Sequence, residues 1–179
     1  MKIEVAEMNS KELGSVESGG TVKLGEREYI VLGHSYDNTA VITKDVVKSM
    51  RFGEDGNYSK SDVRAYCNDE FYRKLCEAVG AENIIPHTVN LVSDDGSNKG
   101  TIIKDNVSIL TCDRYRHYRE FLPAIGSTCW TATRVTTLDK VYAYGVCVVG
   151  SSGILGWDDC GYSYGVRPFC VLNSSVLVS

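Results

Sequence analysis

Cysteine, histidine, aspartate and arginine are the residues here whose spacing could carry chemistry. Cys112 stands beside Asp113 at the start of a helical run that continues to His117. A helix start favours a thiolate and a neighbouring imidazole would serve as its base, which is the minimum for a nucleophilic cysteine. Asp113 opposes that thiolate, and His117 falls about a turn away. His34, His87 and His117 are far apart in the chain, with no paired-histidine or carboxylate spacing, so they read as singly hydrogen-bonded rings rather than metal ligands. The acid pairs Asp94–Asp95 and Asp158–Asp159 offer the hard oxygens that calcium takes. Neither sits in an EF-hand pattern, and "SDDGSN" reads as a turn whose acids and amide cap their own backbone. The glycines of "GSSGILG" lack the following helix and later acid of a dinucleotide site. The residues therefore point to no catalytic group, metal site or cofactor, with calcium the one ion left in view.

Arg167 and Pro168, in "YGVRPFCVL", pose a different question. A proline is tolerated at a strand start because its missing N–H is not needed there. Gly165 permits an entry with positive φ. An arginine in so apolar a setting holds a carboxylate or several backbone carbonyls through its planar fork, which reads as a clamp on the last strand.

The elements that position these groups can be read from pattern. Residues 1–20 are polar and end in "ESGG", an arm or early strand leading to a flexible joint, so residues 21–179 form the single domain. "REYIVLG" and "TAVITK" are β-rich runs joined as a hairpin. In "SKSDVRAYCNDEFYRKLCEAVG", Ser59 with Asp62 resembles a capping box and Asn68 a second N-cap. Phe71, Leu75, Cys76 and Val79 share one helical face, and Gly80 stops the helix. This predicts two short helices or one kinked helix on a sheet. "NVSIL" is a short strand and "TCDRYRHYREFL" a short helix. From Cys129 onward only short strands and loops remain, so the fold class is α+β, with central helices on antiparallel sheet and an irregular β-rich final third.

Bulk properties remove whole classes of function. The chain has 179 residues, 43% of them apolar and 23% charged, as expected for one soluble globular domain. A net charge of -4 leaves no basic surplus for binding nucleic acid through its phosphates. No run approaches the roughly 20 apolar residues of a membrane helix, and the N-terminus lacks the apolar core of a signal peptide. Seven cysteines without paired spacing, mostly set among apolar residues, read as buried thiols in a reducing compartment.

Four motifs in order carry a resemblance. Ser61, Arg64, Asn68 and Phe71 are followed by Ile109, Leu110 and Thr111, then by Trp130 and Arg134, then by the near-terminal Gly165–Pro168. This order, over roughly residues 22–172, resembles a domain family of unknown function common in gut Firmicutes and their phages. The tryptophan segment departs from that family's Trp-Trp-Leu-Arg-Ser, which leaves the role of Arg134 open. The family looks like a branch of the C-type-lectin-like fold related to the formylglycine-generating-enzyme scaffold. The enzymatic branch depends on a cysteine pair that binds copper, and Cys147, Cys160 and Cys170 do not reproduce its spacing. The resemblance therefore implies a display scaffold, with Trp130, Arg167 and Pro168 as structural anchors.

Similar phage proteins are diversified by retroelements that randomise adenines in the segment encoding the ligand face. Such codons do not yield Glu, Gln, Met, Lys or Trp, so Lys140 and Trp157 are expected to be fixed positions. All the glutamates here lie at or before Glu120, and the chain beyond it holds no Met or Gln, although Gln is absent throughout. Tyr with Ser, Gly and Asn is also the composition of antibody-type paratopes, where Tyr supplies contact area at low entropy cost. The expected ligand-binding residues are Thr131, Thr133, Tyr142, Tyr144, Trp157, Asp158, Asp159, Tyr162 and Tyr164. Period 2 in "KVYAYGVCVV" puts Tyr142 and Tyr144 on one face, with the outward face left open. The expectation is a non-enzymatic binder of a host-surface protein or glycan, a virion component or cytoplasmic protein. The alternatives are a formylglycine-generating-type or Cys112-dependent enzyme, and a structural virion component without a specific ligand.

Overall fold

The computed structural model describes residues 10–179 and has an α+β architecture dominated by sheet. In chain order the strands and helices of the first half are β1 (Lys11–Glu12), β2 (Thr21–Leu24), β3 (Arg27–Ser35), β4 (Asn38–Thr43), β5 (Lys48–Arg51), α1 (Asp62–Tyr66) and α2 (Tyr72–Val79). β6 (Ile84–Ile85), β7 (His87–Asn90), β8 (Ile102–Asp105), β9 (Val107–Ser108) and α3 (Cys112–His117) follow. The chain ends with β10 (Cys129–Arg134), β11 (Gly145–Val149), β12 (Leu155–Asp159), β13 (Ser163–Val166), β14 (Phe169–Asn173) and β15 (Leu177–Val178). One sheet runs β2-β3-β4-β14-β6, with β9 also on β14; the other runs β12-β11-β10-β13-β5. Small ladders join β7 to β8, and β1 to β15.

The predicted hairpin is β3–β4, in antiparallel register from Tyr29↔Thr43 to Ser35↔Asn38. Its alternating apolar residues bury Val31 and Val41 in one cluster and Ile30, Leu32 and Ile42 in another, so this strand pair separates two cores. The segment read as an arm is tied down where it is described. Leu13 is fully buried, β1 pairs with β15, and Gly19 donates its N–H to Val31 O while Gly20 O accepts from Val31 N. Residues 11–20 are therefore part of the fold and not a flexible joint; residues 1–9 lie outside the described residues.

The central helix is continuous from α1 through a π-turn into α2, and its caps differ from the sequence reading. Ser61, not Ser59, is the N-cap: its Oγ accepts the Arg64 N–H at 3.0 Å. Asn68 caps nothing. It sits in a π-turn, Cys67–Phe71, that joins α1 to α2. There its amide donates to Arg64 O and Val107 O and accepts from the N–H groups of Asn106 and Val107. Arg64 grips Asp105, a buried acid, at 2.7 Å. A wide turn is tolerated because this side chain supplies hydrogen bonds that a regular ladder would otherwise make. Three of the four helix motif residues thus have visible duties: a cap, and two ties to the β8–β9 corner. The fourth, Phe71, is core, and Gly80 ends the helix at φ 83°.

Two of the chain's crossings between the sheets are short and adjacent. The chain passes from β4 to β5 through Lys44–Val47, and returns from β13 to β14 through Arg167–Pro168. Arg167 donates from Nε to Thr43 O at 3.1 Å and from Nη2 to Lys44 O at 3.0 Å, while Thr43 N–H donates to Pro168 O. Burial lowers the guanidinium pKa, a desolvation cost that the carbonyl bonds offset. Arg167 is the expected clamp, acting on carbonyls of the other crossing. Gly165 serves a different purpose from the one predicted. Its φ is not positive; a Cβ there would fall 2.6 Å from Val46 Cγ2, so close packing demands the glycine.

Candidate functional site

Strand β12 is an edge of its sheet, and seven of the nine predicted binding residues, all but Thr131 and Thr133, lie on it or next to it. β11 and β12 pair in unbroken antiparallel register from Gly145↔Asp159 to Val149↔Leu155. Gly150 N–H donates to Ile154 O and Cys160 N–H to Tyr144 O, so even-numbered residues of β12 face β11. Alternation then turns the main-chain groups of Leu155, Trp157 and Asp159 outward. Asp159 N–H is covered by the Asp158 carboxylate. The groups of Leu155 and Trp157 remain along the open edge.

Register also divides the aromatic residues. Trp157 lies opposite Cys147 and projects to that face of the sheet. It packs edge-on with Tyr142, ring centroids 5.5 Å apart. A Cβ on Gly145 would stand 3.3 Å from the Trp157 ring, so this glycine lets the indole lie close over β11. Asp158 lies opposite Val146 and projects to the other face, where its carboxylate accepts the Tyr164 hydroxyl proton. That bond raises the Tyr164 pKa by making the phenolate unfavourable beside an acid. Tyr164 in turn packs against buried Trp130 and beside exposed Tyr162. Exposed aromatics therefore flank β12 on both faces.

Several expectations require correction. Thr131 and Thr133, expected on the binding face, are buried, because β10 is a central strand covered on both sides. Thr131 Oγ1 donates to Cys147 O at 2.8 Å, and Thr133 Oγ1 accepts the Cys112 N–H at 3.0 Å. Small polar residues here satisfy interior backbone groups rather than meet solvent. Tyr142 and Tyr144 do not alternate along a strand: residues 141–144 form a turn, and β11 begins at Gly145. That turn exposes Tyr142, Tyr144 and also Val141, and Leu138 just before it is exposed as well; neither apolar side chain was among the expected binding residues. The signal for them was Asp139, whose carboxylate accepts the Val141 N–H in a local turn.

The remaining candidates scatter. Asp159 caps Gly161 N–H; Asp95 accepts from Ser97 and Thr136, as turn chemistry predicts. His34 bonds Thr39 and Val16 O, His87 bonds Ser108, and His117 packs on Tyr118; His34 and His117 border one shallow cavity, and none of the three belongs to a cluster of metal-ligating side chains among the described residues. Trp130 is buried as an anchor, its indole N–H donated to Met50 O at 2.9 Å. Arg134 donates to Ala143 O, which fixes the turn that carries Tyr142 and Tyr144.

Cys112 has neighbours that the sequence did not place beside it. His117 is not among them. Instead Cys147, Thr131 and Thr133 surround its sulfur. The nearby Cys147 thiol, with the threonine hydroxyls adding, lowers the Cys112 pKa against the opposing effects of burial and Asp94. The same contact pushes the Cys147 pKa up. All seven cysteines are free thiols, six of them buried.

Among the described residues no helix is long and apolar enough to cross a membrane. No family model, curated protein or solved structure matches this chain.

Proposed function

We propose that this chain is a non-enzymatic binding module, built on a C-type-lectin-like scaffold of the phage or prophage type, that engages a host-surface protein or glycan along β12. The observation that carries this reading is the exposed Tyr142–Trp157 pair over an edge strand, with Tyr162 and Tyr164 on its other side. Aromatic rings with one polar handle are the residues that dominate recognition surfaces, because they bring large contact area with few rotatable bonds. Edge main-chain groups add hydrogen bonds that an extended partner segment would meet. Asp158 and Asp159 border the rings and favour a ligand with cationic or hydroxyl groups. The scaffold reading draws support from the pairing of β1 with β15, which holds the two described ends together, and from the loop-rich strands between β10 and β14.

The test is binding of tagged protein to intact bacterial cells and to a glycan array, with Trp157→Ala and Tyr142→Ala beside the parent. Each substitution is expected to weaken binding by about tenfold or more, as for central aromatic contacts, with an unchanged melting temperature. Binding that survives both substitutions refutes the assignment of the face, and absence of binding to either probe refutes the partner class.

A further inference from the structure

A second cluster lies on the same face of the sheet as Trp157, one strand inward from the aromatic edge, since Cys147 is the register partner of Trp157. The Sγ atoms of Cys112 and Cys147 and a carboxylate oxygen of Asp94 all fall within 4.8 Å of one another. From this geometry we propose that Asp94, Cys112 and Cys147 form a three-ligand site for a thiophilic divalent cation of the zinc class, its fourth position open to the adjoining cavity.

The donor set selects the metal. Two sulfurs with one oxygen suit a borderline-soft ion that accepts four ligands tetrahedrally, and disfavour calcium or magnesium, which take oxygen alone. Zn–S bonds of about 2.3 Å place ligand atoms a little under 4 Å apart, so the three groups need only small side-chain adjustments to close.

Each ligand is held by a separate element. Cys112 opens α3, with its own N–H donated to Thr133. Cys147 lies within β11, where Thr131 donates to its carbonyl. Asp94 sits in a loop pinned to the end of β10, since Asp94 N–H donates to Arg134 O and Asp95 N–H to Val135 O. Arg116 reaches the Asp94 carboxylate at 3.3 Å, which orients the ligand and offsets the surplus negative charge of two thiolates and one carboxylate around a dication. Both thiol protons leave to solvent when the ion binds.

The open position also has a place to face. A cavity of about 180 Å³ lies against Asp94 and Cys112 and is bordered by Ser93, Thr133 and Arg116. Ser93 is buried, and its hydroxyl has no hydrogen-bond partner. A fourth ligand such as water would give that hydroxyl a partner.

The experiment titrates the reduced, metal-free full chain with Co²⁺ and then with Zn²⁺. Expected are sulfur-to-cobalt charge-transfer and tetrahedral visible bands that saturate at one ion per chain and bleach with Zn²⁺. Cys112→Ser and Cys147→Ser should each abolish tight binding, and Asp94→Asn should keep the sulfur bands while weakening affinity by about tenfold or more. Zn²⁺ should also raise the melting temperature of the parent but not that of Cys112→Ser. Reduced parent protein without a sulfur-to-cobalt band overturns the proposal, as do bands that survive Cys147→Ser. A pair that isolates as a disulfide and takes no metal after reduction overturns it too. Asp94 is exposed, so its variant tests the site even where a cysteine variant fails to fold, and unchanged affinity there removes the third ligand.

Discussion

Trp130 and Trp157 belong to one sheet, two strands apart, and have opposite duties. Trp130 is 3% exposed, its indole N–H satisfied by Met50 O and its ring set against Phe52 and Tyr164. Trp157 is 54% exposed and packs edge-on with Tyr142. Residue type does not distinguish them; strand order does. A central strand covered on both faces turns its large side chains into core, whereas an edge strand leaves them available to another molecule. One sheet thus holds a tryptophan committed to the core and another left at its surface.

The contrast breaks most visibly at its interior end. Trp130→Ala should cost about 3–5 kcal/mol in denaturant unfolding, from lost burial and the cavity left behind. A cost below about 1 kcal/mol would mean that Trp130 is no anchor. Next comes acid. Burial, with Arg114 adding to it, lowers the His87 pKa to about 4 in the folded chain. The unfolded chain takes up that proton near pH 6.5 and the folded one does not, so stability falls as pH drops from about 6.5 to about 4. The loss should approach about 3 kcal/mol in urea melts across that window, and His87→Gln should flatten this part of the profile. Arg167→Ala strands two buried carbonyls but releases a buried cation from its desolvation cost, which leaves a net loss of about 2 kcal/mol by the same melts. The smallest effect sharpens the comparison: Trp157→Ala should change stability by less than about 0.5 kcal/mol, measured beside Trp130→Ala.

Local chemistry was the legible part of this chain. The β3–β4 hairpin, the helix face of Phe71 and Leu75, the Gly80 stop and the Arg167 clamp follow from spacing and residue type because each is decided by near neighbours. Thr131 and Thr133 misled because a Thr-Ala-Thr run looks the same on a surface as on a strand buried on both sides, and only the position of β10 between β11 and β13 tells them apart. Tyr142 and Tyr144 misled because alternation suited a strand while Asp139 had already committed the chain to a turn. The Asp94–Cys112–Cys147 cluster was not legible at all. Its three members come from a loop, a helix start and a strand that only tertiary packing brings together.

The open side of β12 has one more consequence. A strand whose Leu155 and Trp157 main-chain groups face outward is a template for a second copy of itself, and an apolar edge of this kind invites stacking of molecule upon molecule. Asp158 and Asp159 stand along that edge. Asp158 and Asp159 thus give β12 the charged edge by which sheets discourage strand-on-strand stacking.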